Sequence, residues 1–141
     1  MKNENENLKK EKSCGCIVIK NNKVLLIKQV TGIWGFPKGH VEKDETEYET
    51  ALREVKEETN LDVKIISDKR YTMNYLTERG SYKQVVLFVA NEIRGKIKRQ
   101  EAEIDDIKWL NYEDALEIIN FQNTKDILKE VSEDNYINSS Y

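Results

Sequence analysis

One strongly helical segment interrupts a chain that is otherwise made of short β-forming runs. Residues 46–59 are dense in Glu, Ala, Leu and Arg, which favour a helix, and they follow a loop that holds several glycines and the lone proline. Before this loop, residues 15–20 and 23–28 are β-branched runs joined by Asn21 and Asn22, a pair suited to a tight hairpin turn. The sequence therefore predicts a β-hairpin that leads through a loop into one helix.

The rest of the chain predicts more strands and two further helices. Residues 62–76 and 82–93 are rich in β-formers with a polar turn between them, and residues 104–110 suit one more strand. Apolar residues at helical spacing mark residues 112–119 and 124–131. This order of elements is typical of a sheet flanked by helices, which is an α/β fold.

Length and composition are those of one soluble domain. The chain has 141 residues, of which 38% are hydrophobic and 35% charged, and its longest apolar runs suit buried strands rather than a membrane span. We expect a flexible tail at residues 1–13, a single domain at residues 14–131 and a second tail at residues 132–141. The polar start has no apolar segment of the secretory type, so we expect a cytoplasmic protein.

Charge and cysteine content argue against nucleic acid and zinc as partners. The formal net charge of -3 leaves no overall positive field to hold a phosphate backbone. A small polyphosphate can still bind if cations screen it from the acidic groups. Two cysteines and one histidine cannot complete a four-ligand zinc site, so we interpret Cys14 and Cys16 as buried thiols.

Three glutamates share one face of the predicted helix. Glu54, Glu57 and Glu58 stand at i, i+3 and i+4, so their side chains crowd together. The side predicted to pack on the sheet consists of Tyr48, Leu52, Val55 and Thr59. A solvated surface is the alternative interpretation of the acidic face, but like charges repel, and a divalent cation would relieve that repulsion. Carboxylates select Mg²⁺, or Mn²⁺ in its place, and Mg²⁺ is commonly held by carboxylates together with substrate phosphates.

A longer pattern around this helix resembles a known motif, the Nudix box. The box reads Gly, five residues, Glu, seven residues, then Arg-Glu-aliphatic-x-Glu-Glu-x-Gly-aliphatic, and the corresponding string here is GHVEKDETEYETALREVKEETNL. The matching positions are Gly39, Glu45, Arg53, Glu54, Val55, Glu57, Glu58 and Leu61. The closing glycine is replaced by Asn60, the next most tolerant residue in a left-handed conformation, so we expect a small stability cost. The resemblance to Nudix hydrolases implies an α/β/α sandwich with a mixed β-sheet and a loop-helix-loop catalytic motif.

The resemblance also implies a metal centre on the helix. The implied metal ligands are Glu54, Glu57, Glu58 and Glu103, and the implied catalytic residues are Arg53, Glu54, Glu57 and Glu103. Arg53 would orient the cluster by pairing with Glu45, and Gly39 would let the backbone approach closely. Water activated by the metals would attack phosphorus while Lys38 stabilises charge on the phosphates. The general base varies among members, and Glu103 has the alternative interpretation of a surface acid.

Residues outside the box resemble one branch of the family. The loop WGFPKGH, the opening CGCIVI, an Asn-Tyr pair and the late IKWL are similar to asymmetric diadenosine tetraphosphate hydrolases over about residues 14–131. This similarity implies a nucleoside polyphosphate substrate that would be cut to ATP and AMP. Lys38 and His40 would contact its phosphates, and Tyr75 or Tyr82 would stack on adenine. Either tyrosine is also interpretable as an ordinary strand aromatic.

The box leaves several alternatives open. It serves equally for a nucleoside triphosphate pyrophosphatase, an ADP-ribose pyrophosphatase or an enzyme acting on an RNA 5′ end, although Lys38 and the lack of a basic patch argue against RNA. A Nudix-fold module that binds nucleotides without cutting them commonly lacks box glutamates, which this chain keeps. A plain α/β protein with an acidic helix is the third hypothesis, and absent metal binding would favour it.

Overall fold

Within residues 8–139, eight strands form one mixed sheet with helices on both of its faces. The computed structural model describes residues 8–139. The strands are β1 Lys10–Lys20, β2 Lys23–Gln29, β3 Trp34–Gly35, β4 Lys38–His40, β5 Asp62–Ile65, β6 Tyr71–Leu76, β7 Tyr82–Arg94 and β8 Ile104–Leu110. The helices are α1 Glu47–Thr59, α2 Tyr112–Ile118 and α3 Gln122–Glu133. The predicted α/β sandwich with a mixed sheet is confirmed. Within residues 8–139, none of the helices has the length and apolar character needed to cross a membrane.

Strand β1 organises the sheet. It pairs in parallel with β7, from Lys10 opposite Tyr82 to Ile19 opposite Asn91, and antiparallel with β2 and β4. β7 also pairs with β5 and β6, and β2 pairs with β3 and β8, all antiparallel. Because β4 pairs with residues 13–15 of β1, the loop that precedes α1 lies directly against the sheet.

The two faces of the sheet bury two separate apolar clusters. On one face, Cys16 and Phe88 pack with Val55 of α1. On the other face, Ile17 packs with Leu128 of α3 and with the apolar residues of α2. Successive side chains of a strand point to opposite faces, which is why neighbours on β1 belong to different clusters. The α1 side carries the box, and the sheet separates it from the two C-terminal helices.

The two cysteines lie on β1 within the sheet. Cys14 and Cys16 are free thiols without exposed surface. Burial raises the pKa of Cys14 to about 11 and that of Cys16 to about 12. Both thiols therefore stay protonated at neutral pH, and the interpretation of two buried thiols is confirmed.

Local sequence signals determine where the hairpin and α1 begin and end. Asn21 and Asn22 have φ angles of 51° and 58°, which a two-residue hairpin turn requires. At the start of α1, the Thr46 hydroxyl accepts from the Glu49 N–H at 3.1 Å, and the Glu49 carboxylate accepts from the Thr46 N–H at 3.0 Å, forming a capping box. At its end, Asn60 has a left-handed φ of 67°. The predicted hairpin and helix are confirmed.

The structure corrects the predicted tails at both ends. Residues 1–7 and 140–141 lie outside the described residues. Strand β1 already begins at Lys10, inside the predicted N-terminal tail. Beyond α3, Ile137 is fully buried, and the Asn138 N–H donates to the Asn22 side-chain oxygen at 2.8 Å. These contacts join segments distant in sequence, so the polar character of the two ends did not indicate them.

Two further predictions need correction. The single strand predicted over residues 62–76 is divided into β5 and β6, which pair with different parts of β7. The buried positions of α1 are Thr50, Ala51, Val55, Glu58 and Thr59. Of the residues predicted to pack on the sheet, Val55 and Thr59 are buried. The Tyr48 ring also packs on Phe88 of β7, with the ring centroids 4.6 Å apart, although Tyr48 is 42% exposed. Leu52 is 38% exposed. The buried side of α1 therefore extends to Glu58, which the prediction placed on the acidic face.

Candidate active site

The loop and helix of the box bring carboxylates and cations to one cleft. A cavity of about 450 Å³ borders α1, β4 and the turn before β8. The predicted site residues that line it are Lys38, Gly39, His40, Arg53, Glu54, Glu57, Glu58 and Glu103. Glu103 is distant in sequence from α1, yet its charge acts on both Glu54 and Glu58. The four predicted metal ligands therefore lie around one cleft.

Arg53 connects the helix to the loop before it. Its Nε and Nη2 donate to the two carboxylate oxygens of Glu45 at 2.7 and 2.8 Å, and Nη2 also donates to the His40 carbonyl at 3.0 Å. Its Nη1 donates to Glu54 at 2.8 Å and to Glu57 at 3.1 Å. The hydrogen bond from Arg53 is the main reason that the pKa of Glu45 falls to about 2. Arg53 thus holds two of the cleft glutamates, as the resemblance implied.

Glu58 is the most buried carboxylate of the cleft. It is 5% exposed, and its Oε1 accepts a hydrogen bond from the Lys38 backbone N–H at 3.0 Å. Burial, together with the nearby charge of Glu54, raises the pKa of Glu58 to about 8. Burial also lowers the pKa of the Lys38 ammonium to about 8, and the charge of Lys83 acts in the same direction. Ionising Glu58 and Glu54 together is therefore costly unless positive charge enters the cleft.

Two glycines allow the loop to lie close to the sheet and to α1. A Cβ on Gly39 would overlap the carboxyl group of Glu54, so the end of that side chain would have to move to admit one. A Cβ on Gly15 of β1 would overlap the Pro37 carbonyl and the Lys38 side chain. The close approach expected at Gly39 is present, whereas Gly15 was not singled out because its neighbour is a loop distant in sequence.

The donor set of the cleft fits a hard divalent cation. The candidate ligands are the carboxylates of Glu54, Glu57, Glu58 and Glu103, and oxygen ligands of this kind are the ones that Mg²⁺ and Mn²⁺ prefer. Over residues 8–139, no three acidic, histidine or cysteine side chains already converge on one point. Arg53 Nη1 donates to both Glu54 and Glu57, so a bound cation would share these carboxylates with Arg53. Burial raises the pKa values of Glu54 and Glu58, and a cation bound beside them would stabilise their ionised forms.

A larger cavity of about 780 Å³ adjoins the carboxylate cleft. The two cavities share Lys38 and Lys83 in their walls. The aromatic residues of the larger one are Trp34, Phe36, Tyr75 and Phe121, and its amide side chains are Gln29, Gln122 and Asn123. Phe121 is 54% exposed. The backbone N–H of Trp34 donates to the side-chain oxygen of Asn120 at 2.7 Å. An aromatic cavity with a few amides suits a flat, nitrogen-rich ring.

The two tyrosines predicted to stack on adenine differ in their position relative to the aromatic cavity. Tyr75 lines the aromatic cavity, whereas Tyr82 is not among its lining residues. Tyr82 and Lys83 are neighbours on β7 and point to opposite faces of the sheet. Lys83, which lines both cavities, and Phe121 were missed by the sequence analysis. One feature of the sequence could have indicated Lys83. It is a charged residue two positions before the apolar Val85, so both side chains point to the same face of β7.

His40 is held at the rim of the cleft by Glu11. The His40 Nε2 and the Glu11 carboxylate are 3.1 Å apart, and the imidazole is largely exposed. The same carboxylate accepts from Arg79 at 2.9 Å and from the Ser81 hydroxyl. Hydrogen bonds from Ser81, His40 and Arg79 lower the pKa of Glu11 to about 2. Glu11 was assigned to a tail by the sequence analysis, so its contact with the cleft was not foreseen.

Comparisons with known proteins agree with this fold and site. The NUDIX domain family matches residues 9–131. The asymmetrical bis(5′-nucleosyl)-tetraphosphatase of Mus musculus is 31% identical over 135 residues, which covers 84% of this chain and 91% of that protein. An m7GpppN-mRNA hydrolase of Saccharomyces cerevisiae is 28% identical over 92 residues, or 64% of this chain and 10% of that protein. The crystal structure of a C. elegans Ap4A hydrolase binary complex superimposes with a TM-score of 0.80 at 27% identity, covering 89% of this chain and 97% of that one.

The sheet, the glutamate-bearing helix and the loop before it define a Nudix fold with its box in place. Together with the family match over most of the chain and the 31% identity to a full-length relative, they show that this chain belongs to the Nudix family and is a Nudix hydrolase. The similar proteins include hydrolases named for different substrates.

Proposed function

We propose that this Nudix hydrolase uses Mg²⁺, or Mn²⁺ in its place, to cleave diadenosine tetraphosphate into ATP and AMP. The observation that carries the proposal is the shared wall of the two cavities, where Lys38 and Lys83 lie between the carboxylate cleft and the aromatic cavity. A nucleotide fits this arrangement with its base among the aromatic side chains and its phosphates beside the two lysines. The similarity to the mouse tetraphosphatase and to the C. elegans hydrolase supports the dinucleotide as substrate.

The aromatic cavity supports recognition of adenine. Tyr75 and the half-exposed Phe121 line it and present ring faces on which a base can stack. Asn123 offers an amide that can donate to and accept from the polar edge of a purine. We assign stacking to Tyr75 rather than Tyr82, because only Tyr75 of these two lines the cavity.

The side chains of the cleft have different proposed roles in the reaction. Lys38 and Lys83 neutralise the phosphates, and Arg53 holds Glu54 and Glu57 in place. Glu54, Glu57, Glu58 and Glu103 are the proposed ligands of the cation. When bound, a divalent cation neutralises the phosphates and makes a coordinated water more acidic. A carboxylate of the cleft accepts the proton from the attacking water, and the water oxygen forms a bond to phosphorus. The phosphoanhydride bond breaks, and one product nucleotide leaves through its terminal phosphate oxygen.

A substrate panel tests this proposal. The purified chain is assayed with Mg²⁺ on diadenosine tetraphosphate, ATP, ADP-ribose and 5′-triphosphorylated RNA, and the products are separated by anion-exchange chromatography. We expect the highest kcat/KM for the dinucleotide, with ATP and AMP in equal amounts. A higher kcat/KM for another panel member would overturn the substrate assignment and leave the Nudix chemistry in place.

The two tyrosines provide a matched pair of variants for the same assay. Tyr75→Leu should raise the KM for the dinucleotide about tenfold, because base stacking on an aromatic side chain contributes roughly 1–3 kcal/mol. Tyr82→Leu should leave the KM within about twofold of the wild-type value, since Tyr82 does not line the cavity. Equal KM values in the two variants would contradict the stacking role of Tyr75.

A further inference from the structure

A buried hydroxyl in the carboxylate cleft has no protein partner. Ser13 of β1 is 0% exposed and lines the cleft. Within residues 8–139, its Oγ makes no hydrogen bond. Leaving a buried hydroxyl without a partner is costly, and an alanine at this position would avoid that cost. The presence of serine therefore points to an acceptor that reaches the cleft from outside the protein.

The surroundings of Ser13 show what kind of acceptor fits. Ser13 is the register partner of His40 on β4 and of Val85 on β7. Strand alternation places it on the same face as Lys83, two residues before Val85. Lys83 and Lys38 line the same cleft, so a neutral donor and two ammonium groups surround one space. Such a set of donors suits an anion with several acceptor oxygens.

We propose that the Ser13 hydroxyl donates a hydrogen bond to a non-bridging phosphate oxygen of the bound polyphosphate. This inference rests on the proposed function, because it places the phosphate chain between Lys38 and Lys83. It adds a substrate-binding residue outside the box and outside the loop that precedes it. The neutral donor contributes direction, because a hydroxyl bonds along one axis, whereas an ammonium group acts more like a point charge.

The opposite face of the same strand supplies a control. Cys16 lies three positions along β1, points toward α1 and is fully buried. Ser13→Ala and Cys16→Ala each delete one buried heavy atom from β1. If Ser13 only fills space, both variants lower stability and neither changes ligand binding. If Ser13 binds phosphate, only Ser13→Ala weakens binding, and its stability equals or exceeds that of the wild type because an unpartnered hydroxyl has been removed.

Three quantities are measured for each variant. Calorimetry gives the Kd of inorganic tripolyphosphate in the presence of Ca²⁺, and urea unfolding gives the stability. An activity assay gives kcat/KM for the dinucleotide. We expect the Kd of Ser13→Ala to rise about tenfold or more, with an unchanged or higher urea midpoint. Ser13→Cys, a weak donor of similar size, should give an intermediate Kd. A Kd for Ser13→Ala within twofold of the wild-type value, or no tripolyphosphate binding by the wild type, would overturn the inference. Failure to hydrolyse the dinucleotide alone would overturn only the proposed function.

Discussion

The backbone of Gly39 lies against the carboxyl group of Glu54, with no room for a side chain between them. This contact joins the loop before α1 to the centre of the glutamate cluster. Glu54 also accepts a hydrogen bond from Arg53 at 2.8 Å, so it is confined from two sides. The position of the carboxylate therefore depends on the absence of a side chain at residue 39.

Gly39→Ala should displace Glu54 and reduce activity while the chain still folds. A displacement of about 1 Å in a catalytic group can cost about 100-fold in rate, and we expect kcat to fall by about that factor. Overpacking should lower the free energy of unfolding by about 1–3 kcal/mol. Gly35→Ala is the control for stability, because a Cβ there meets nothing within 4 Å. An unchanged kcat in Gly39→Ala would show that the position of Glu54 is not important for the reaction.

Arg53→Lys should separate the charge of this residue from its geometry. Lysine keeps the positive charge but cannot form the two-pronged contact with Glu45, so Glu54 and Glu57 lose their shared anchor. We expect kcat to fall at least about tenfold, measured under substrate saturation.

Arg70→Lys is a matched control for Arg53→Lys. Arg70 forms a similar two-pronged contact with Glu47, with both distances 2.8 Å, at the start of the same helix. Arg70 does not line the cleft, and exposed ion pairs contribute roughly 0–1 kcal/mol. Its replacement should therefore leave kcat unchanged. A similar loss of kcat in both variants would mean that the helix as a whole, rather than the glutamate cluster, responds to these arginines.

The C-terminal end of α1 predicts a difference between two substitutions of Asn60. Asn60→Ala should lower the free energy of unfolding by about 1 kcal/mol, because alanine lacks the short polar side chain that lets asparagine tolerate a left-handed conformation. The variant also loses the hydrogen bond from the Asn60 side chain to the Lys96 carbonyl, 3.0 Å long. Asn60→Gly, which restores the usual closing residue of the box, should be more stable than Asn60→Ala in urea. Equal stability of the two variants would contradict a role for the backbone angle.

Glu11 predicts a pH dependence of stability. Hydrogen bonds from Ser81, His40 and Arg79 lower its pKa from 4.5 to about 2. A lowered carboxyl pKa stabilises the fold above the unfolded value of 4.5, and this contribution is lost as the pH falls toward 2. Glu11→Gln should therefore be less stable than the wild type at pH 7, and the difference should shrink at pH 3. A difference in urea midpoint that stays constant between these pH values would contradict this account.

The parts of the fold that follow from neighbouring residues were predictable. The turn at Asn21 and Asn22 and the capping box of α1 depend on residues within a few positions of each other. The Arg53–Glu45 contact was predictable because a known motif implies it. Each of these features is visible in a short window of sequence.

The remaining site residues meet through pairings between distant strands. Lys83 reaches the cleft because β7 lies parallel to β1, and Ser13 lies beside His40 because β4 pairs with the same strand. Phe121 depends on how α3 packs against β6. No local pattern encodes these partners, since the register of each pair is set by the assembled sheet and its core.

The most direct test of the account is the Mg²⁺ dependence of diadenosine tetraphosphate hydrolysis, measured for the wild type and Glu57→Gln. The Glu57 side chain is 53% exposed, so the variant should fold with a Tm close to that of the wild type. We predict a saturable rise in ATP and AMP release with Mg²⁺ for the wild type, no release with a chelator present, and a rate at least about 100-fold lower for the variant. Hydrolysis that persists in the chelator, or at the wild-type rate in Glu57→Gln, would contradict a cation held by the glutamates of α1.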